Sequence, residues 1–221
     1  MSGFQIVVCG SIVPDPLQTL EPVTTPAGPG LKNELMLPAV LDPWAGHALY
    51  EAASLAAKTP GSKLWLVALG PKAKLQQVMM AIAQKVPFEL VALDGPAGGF
   101  VDAFETAAAL ADAVKAIPGL DRTKLLLFGG WESASRCAGA PAVLGWATGN
   151  LPEPRNNPQV GMANMKTVMP ALMKAKPAPV GVGGIQYREV ALPKVQRETR
   201  IVKDLSTDEI ARELVEWIAK D

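Results

Sequence analysis

Residues 5–10 read Gln-Ile-Val-Val-Cys-Gly, an apolar run that ends directly on a glycine. The pattern recurs at residues 64–70 and 125–130, where two further apolar runs end on Gly70 and Gly129. A strand that ends on glycine lets a ligand approach the main chain closely. Because ligands of open parallel sheets bind at the carboxyl ends of strands, the three runs predict one crevice for a phosphate-bearing or flat ligand. Simple turns leave the same pattern, and both interpretations stay open.

Helical patterns separate these strands along the chain. The predicted elements are a strand at 5–9, a helix at 42–56, a strand at 64–69, a helix at 72–85, a strand at 88–93, a helix at 104–117, a strand at 125–128 and a helix at 135–146. Asp42 and Pro43 make a good helix start, since aspartate caps free amides and proline suits the first helical position. The alternation predicts a doubly wound, mostly parallel Rossmann-like sheet with helices on both faces.

Two segments depart from this alternation. The proline-rich stretch 13–38 is predicted to be a long functional loop. Residues 147–200 carry many prolines and little periodicity, after which Ser206 and Glu209 form a capping box for a final helix. We therefore predict an α/β nucleotide-binding domain at 1–180 and an extended C-terminal arm at 181–221 that packs on a partner subunit. A tail that folds back on its own sheet is the alternative.

Composition argues against several classes of function. Hydrophobic residues make up 49% of the 221 residues, and Lys plus Arg equals Asp plus Glu at 21 each, so no basic excess indicates nucleic acid binding. No apolar run approaches the roughly 20 residues of a membrane span, and the N-terminus does not resemble a signal peptide. The expectation is a cytoplasmic protein that is not embedded in a membrane.

Few residues are suited to catalysis or metal binding. The single histidine, His47, is interpreted as structural, and the two cysteines show no metal-ligand spacing. Asp102 and Glu105 are interpreted as solvated residues at a helix start. The sequence therefore predicts a binding protein that is not an enzyme on its own and holds no metal.

Three longer stretches point to a family. Residues 42–44 read Asp-Pro-Trp, residues 67–71 read Val-Ala-Leu-Gly-Pro, and residues 169–176 read Met-Pro-Ala-Leu-Met-Lys-Ala-Lys. In this order and spacing they resemble the β subunit of electron transfer flavoproteins, including its FixA-like members. The corresponding family motifs are Asn-Pro-Phe, Val-Ser-x-Gly-Pro and Leu-Pro-Asn-Ile-Met-Lys-Ala-Lys. The resemblance covers residues 4–180 with gaps.

The resemblance implies an electron carrier. Members of the family pair with a larger α subunit that holds most of a redox-active FAD, while the β subunit closes over the flavin and binds an AMP. The heterodimer accepts electrons from flavin dehydrogenases and passes them to a membrane quinone oxidoreductase or another acceptor. A nucleotide-binding regulatory protein of the universal-stress type is the alternative, because it shares this type of sheet.

The resemblance also implies which residues bind the cofactors. Trp44 would pack against the edge of the isoalloxazine ring, and Arg136 would bind phosphate through a charge-assisted hydrogen bond. The candidate cofactor-binding residues are Cys9, Gly10, Asp42, Trp44, Ala45, Leu69, Gly70, Gly129, Ser133, Ser135 and Arg136.

Two regions depart from the family pattern. Residues 131–137, Trp-Glu-Ser-Ala-Ser-Arg-Cys, replace the family's amide-rich phosphate loop, which leaves AMP, a second FAD or an empty site as alternatives. The region 147–172 is shorter than in the family. Its apolar residues Met162, Met165 and Val168 are candidates either for docking of a partner dehydrogenase or for core packing.

Overall fold

The computed structural model describes residues 3–26, 28–96, 100–130, 144–146, 149–189 and 205–218. The chain divides into two compact units, Met1–Ala191 and Leu192–Asp221. The sheet strands of the first unit are β1 (Gln5–Pro14), β4 (Ala39–Leu41), β5 (Lys63–Gly70), β6 (Glu89–Asp94), β7 (Leu125–Gly130), β8 (Leu144–Trp146) and β9 (Lys176–Pro177). A separate hairpin is formed by β2 (Pro22–Thr25) and β3 (Gly28–Leu31). The helices are α1 (Pro43–Lys58), α2 (Lys72–Ile82), α3 (Ala103–Lys115), α4 (Pro158–Met173) and, in the second unit, α5 (Thr207–Ile218).

Strand β1 lies in the middle of the sheet, parallel to β5 on one side and to β7 on the other. Gln5 is level with Lys63 of β5 and with Leu125 of β7. Strands β6 and β9 follow beyond β5, and β8 follows beyond β7. The five main parallel strands therefore have the spatial order 3-2-1-4-5, which is typical of doubly wound nucleotide-binding folds. The predicted mostly parallel α/β fold is confirmed.

Helices cover both faces of the sheet, as the continuous apolar strands predict. Along β1 and β5 the side chains alternate between two cores. Ile6 and Leu66 belong to the core under α1, α2 and α4, whereas Val7 and Val67 belong to the core under α3. The residues of α2 that the sequence pattern places inward are buried: Leu75, Val78, Met79 and Ile82.

The proline-rich stretch 13–38 is more ordered than predicted. Strand β1 continues to Pro14 because its last residues pair antiparallel with β4, with Ile12 opposite Leu41. The β2–β3 hairpin lies between these strands. Proline is tolerated here because Pro14 ends one strand and Pro22 begins another, where a backbone N–H is not required for the ladder.

The second departure lies between residues 135 and 200. The predicted helix at 135–146 is wrong at its end, since Leu144–Trp146 is a strand, and residues 135–143 lie outside the described residues. Helix α4 lies where the sequence pattern indicated irregular structure. Asn157 accepts hydrogen bonds from the amides of Gln159 and Val160, and a proline takes the first helical position. This start has the same chemistry as the Asp42-Pro43 start, so it was a usable signal.

Asn164 connects α4 to the chain that precedes β6. It is buried, and its amide nitrogen donates to the carbonyl oxygens of Ala83 and Val86 at 2.7 Å each. Its side-chain oxygen accepts from the amide of Phe88 at 3.4 Å. One buried side chain therefore satisfies three backbone groups of the turn between α2 and β6.

Replacing Asn164 by alanine should lower the free energy of unfolding by about 2–4 kcal/mol, because buried backbone groups lose their partners. Lys166→Ala, on the exposed side of the same helix, is the matched control and should change stability by less than about 0.5 kcal/mol. Urea denaturation followed by circular dichroism measures both variants. Equal losses in the two variants would contradict this role for Asn164.

Helix α5 begins at the predicted capping box. The amide and hydroxyl of Ser206 donate to the carboxylate of Glu209 at 2.9 and 2.6 Å. The amide of Glu209 donates back to the Ser206 hydroxyl at 3.4 Å. The apolar residues of this helix are exposed: Ile210, Leu214, Val215 and Trp217. None of the helices among the described residues is long and apolar enough to cross a membrane.

Candidate functional site

The topological switch point of the sheet lies between β1 and β7. From β1 the chain order proceeds outward through β5 and β6, whereas β7 and β8 extend the sheet on the other side. Cys9 is level with Gly129, where the pairing of β1 with β7 ends. In doubly wound sheets this position opens a crevice that binds ligands. The predicted strand end at Gly10 is wrong, because β1 continues through it to Pro14, whereas β7 ends on the predicted glycines, at Gly130.

Gly10 lets helix α1 approach the sheet closely. A Cβ atom at this position would lie 2.7 Å from the Cβ of Ala45 and 3.0 Å from Cδ1 of Leu41. The amide of Asp42 donates to the carbonyl oxygen of Ser11 at 2.9 Å, which fixes the start of α1 beside β1. The predicted residues Gly10, Asp42 and Ala45 thus form one contact at the rim of the crevice.

Trp44 and Gly129 lie beside this contact. Trp44 occupies the first turn of α1 and is half-buried. Among the described residues, the nearest atom to a Cβ at Gly129 would be the carbonyl oxygen of Cys9, at 4.0 Å. Residues 131–143, which follow this strand, lie outside the described residues.

Leu69 and Gly70 serve packing in this structure. Leu69 is fully buried in the core under α3. A Cβ atom at Gly70 would lie 2.7 Å from Cβ and from Cγ1 of Ile12, so the extended part of β1 requires glycine there. Their contact with a ligand stays a prediction from the resemblance.

The Cys9 thiol is unsuited to chemistry at neutral pH. Its side chain is partly exposed to solvent, yet burial raises the pKa of the Cys9 thiol to about 12. The thiolate is the form that attacks electrophiles and binds metals. Within the described residues, no group of three His, Cys, Asp or Glu side chains could hold a metal ion. We therefore assign Cys9 a packing role next to the crevice.

Aspartate side chains cap three helices near the carboxyl edge of the sheet. Asp42 accepts a hydrogen bond from the amide of Trp44 at 3.1 Å, at the start of α1. Asp94 accepts from the amide of Lys72 at 2.9 Å, at the start of α2. Asp102 accepts from the amide of Phe104 at 2.8 Å, at the start of α3. A carboxylate at a helix start occupies an amide and compensates the helix dipole. The starts of α1, α2 and α3 are thus poor positions for a phosphate. A phosphate in this crevice would have to bind after β7.

The segment after β7 carries the rest of the predicted site. Gly129 and Gly130 are half-exposed at the end of that strand. Ser133, Ser135 and Arg136 lie outside the described residues, so their role as phosphate ligands stays a prediction.

Asp102 and Glu105 have a role that the sequence interpretation missed. Asp102 is buried, and its Oδ2 accepts from the amide of Ile185 at 2.8 Å. Glu105 accepts from the amides of Gly181 and Gly183 at 2.5 and 2.9 Å. The interpretation of Asp102 as a solvated helix start is wrong, because the first turn of α3 binds a glycine-rich loop. The repeated glycines at 181, 183 and 184 were the available signal for backbone wrapping around an anion.

Sequence comparisons add no family assignment to this geometry. No family model matches the chain, and no curated protein matches it in sequence.

Replacing Gly10 by alanine should lower the free energy of unfolding by about 1–3 kcal/mol, because the new methyl group overlaps Ala45. Ala45→Gly removes that overlap, so a double-mutant cycle should show a favourable coupling of about 1 kcal/mol. Gly129→Ala is the matched control, since no described residue lies closer than 4.0 Å to its Cβ position, and we expect less than about 1 kcal/mol of change. Urea denaturation of the four proteins gives these values. Strictly additive losses at positions 10 and 45 would refute the proposed contact.

The Glu105 contacts predict a dependence of stability on pH. Hydrogen bonding, chiefly from the Gly181 amide, lowers the pKa of Glu105 below its ordinary value. A carboxyl with a lowered folded-state pKa stabilises the fold fully above about pH 5 and loses that effect as the pH falls below about 4. The stability of the wild-type chain should therefore fall more steeply between about pH 5 and pH 3 than that of Glu105→Gln. Urea denaturation across that range measures both slopes, and identical slopes would rule out the effect.

Proposed function

We propose that this chain is the β subunit of a heterodimeric electron transfer flavoprotein. In this role it binds AMP in its own crevice and closes over an FAD that a larger α subunit holds. The pair carries electrons from a flavin dehydrogenase to a quinone oxidoreductase or another acceptor, in the cytoplasm. The observation that carries the proposal is the switch point between β1 and β7, where Cys9 is level with Gly129 and α1 starts beside β1, on a chain that carries three family-like motifs.

The chemistry of the crevice favours a carrier over a catalyst. The thiol of Cys9 stays protonated at neutral pH because burial raises its pKa to about 12. The carboxylates of Asp42 and Asp94 cap helices, so their hydrogen bonds hold the scaffold in place. The glycine backbone at Gly129 and Gly130 permits the close approach of a flat adenine ring. These features favour a nucleotide with a structural role.

Exposed apolar surface supports a partner subunit. Helix α5 carries the exposed apolar residues Leu214 and Trp217, 51% and 68% exposed, together with Ile210 and Val215. An apolar stripe on a helix is a feature that the groove of a partner can cover. Of the three candidates for docking, Val168 is buried in the core, whereas Met162 is 69% exposed on α4. We assign Met162 to the surface that a dehydrogenase contacts.

Co-expression with a larger FAD-binding subunit tests the proposal. We expect a yellow heterodimer that releases FAD and AMP on denaturation, because each subunit completes the other's site. Release of two FAD molecules per heterodimer would mean that a second flavin, and not AMP, occupies the crevice of this chain. A chain that stays colourless and forms no complex with an FAD-binding subunit would overturn the carrier role, and binding of ATP by that lone chain would favour the regulatory alternative.

Trp44→Ala tests where the flavin lies. In the assembled heterodimer this variant should shift the visible spectrum or the potential of the FAD, because the indole contributes part of its packing. Phe4→Ala, at the opposite edge of the sheet, is the matched aromatic control and should leave both unchanged. Flavin properties that stay the same in a correctly assembled Trp44→Ala heterodimer would contradict the assignment.

A further inference from the structure

A second cavity lies away from the switch point, between α1 and α2. Its volume is about 590 Å³, which is within the usual range for sites that bind small molecules. Much of its wall is apolar and comes from β4, α1 and α2, with Val40, Pro43, Val78 and Ile82 among the lining residues. The polar and charged side chains that also line it are Asp15, His47, Tyr50, Gln77, Lys85 and Glu153. The cavity therefore has a largely apolar lining and a polar end.

A segment that we name the strap, residues 149–157, contributes Glu153 to the lining of this cavity. The amide of Asn150 donates to Oε1 of Glu51 on α1 at 3.0 Å. At the other end, the amide of Asn157 donates to the carbonyl oxygen of Gln84 at 2.7 Å. The strap is thus fixed at both ends, and Glu153 lies in its middle.

The carboxylate of Glu153 lies at the polar end of the cavity. It forms an ion pair with Lys85, and the Tyr50 hydroxyl lies 3.5 Å from its Oε1. The two partners differ in exposure, since the Lys85 side chain is 19% exposed and that of Glu153 is 63% exposed. A largely buried ammonium group needs an anion beside it. The exposed glutamate can turn away into water, provided that another anion replaces it on Lys85.

His47 supplies a further polar side chain to the same cavity. Its Nδ1 is buried, and none of the described residues forms a hydrogen bond with it. Because Nδ1 is buried, Nε2 is the ring nitrogen that a ligand in the cavity can reach.

We propose that this cavity binds a small monocarboxylic acid with an apolar body, whose carboxylate replaces that of Glu153 on Lys85 and Tyr50. The apolar body lies between α1 and α2, and Nε2 of His47 donates to an oxygen of the ligand. Glu153 is then an internal carboxylate that fills the polar end when no ligand is present. The site is separate from the nucleotide crevice, so it stands or falls independently of the proposed function.

Sodium octanoate is the probe for this site, and the ring resonances of His47 are the signal. His47 is the single histidine of the chain, so its ¹H–¹³C ring signals are assigned without ambiguity. Octanoate added to the full chain at constant pH should shift these signals in a saturable way. The uncharged analogue 1-octanol and the cation octylammonium should bind at least tenfold more weakly, because neither supplies an anion to Lys85.

Two variants separate a carboxylate site from a merely apolar groove. Lys85→Met keeps the apolar stem and should weaken octanoate binding at least tenfold, whereas Lys72→Met, an exposed lysine outside the cavity, should not change it. Glu153→Gln removes the competing carboxylate from an exposed position and should tighten binding at least threefold. No shift of His47 with octanoate would overturn the proposal. Equal binding of 1-octanol, unchanged binding in Lys85→Met, or weaker binding in Glu153→Gln would overturn it as well.

Discussion

The close contact of helix α1 with strand β1 at Gly10 is the constraint on which the rest of the structure depends. Strand β1 pairs with β5, β7 and β4, so its position sets the register of the sheet. The close approach of Ala45 then fixes the start of α1 beside the carboxyl edge of the sheet. Because that start carries Trp44, the same contact fixes the backbone of this residue in the first turn of α1. Architecture and candidate site therefore share one cause.

Backbone amides and carboxylates at this edge follow a consistent pattern. Asp42, Asp94 and Asp102 each satisfy the amide of a helix start, and Glu105 receives amides from the glycine loop. These internal anions stabilise the scaffold and leave it little affinity for external phosphate near α1, α2 and α3. Under the proposed function, the phosphate of a nucleotide is therefore expected away from these three helix starts.

Local chemistry explains why some of this fold is predictable from sequence. Continuous apolar strands such as β5, and the Asp42 cap of α1, predict elements that the structure contains. The sequence pattern did not predict helix α4, because Gly161 and Pro170 interrupt its apolar periodicity. Asn157 and Pro158 nevertheless mark its start. The role of Glu105 depends on a loop about 76 residues later in the chain, a contact that periodicity cannot reveal. Gly10 was predictable as a close approach, but its partner was not. Sequence pattern thus predicts elements and their caps, whereas long-range polar contacts require the three-dimensional arrangement.

A titration of the isotopically labelled chain with AMP, followed through backbone amide resonances, tests the central claim most directly. The claim is that a nucleotide binds at the switch point between β1 and β7. We predict saturable shifts at Gly10, Ser11, Gly129 and Gly130, with smaller changes at the capped amides of Lys72 and Phe104. Shifts that are absent, or that fall on the capped helix starts and leave the glycine amides unchanged, would contradict the account.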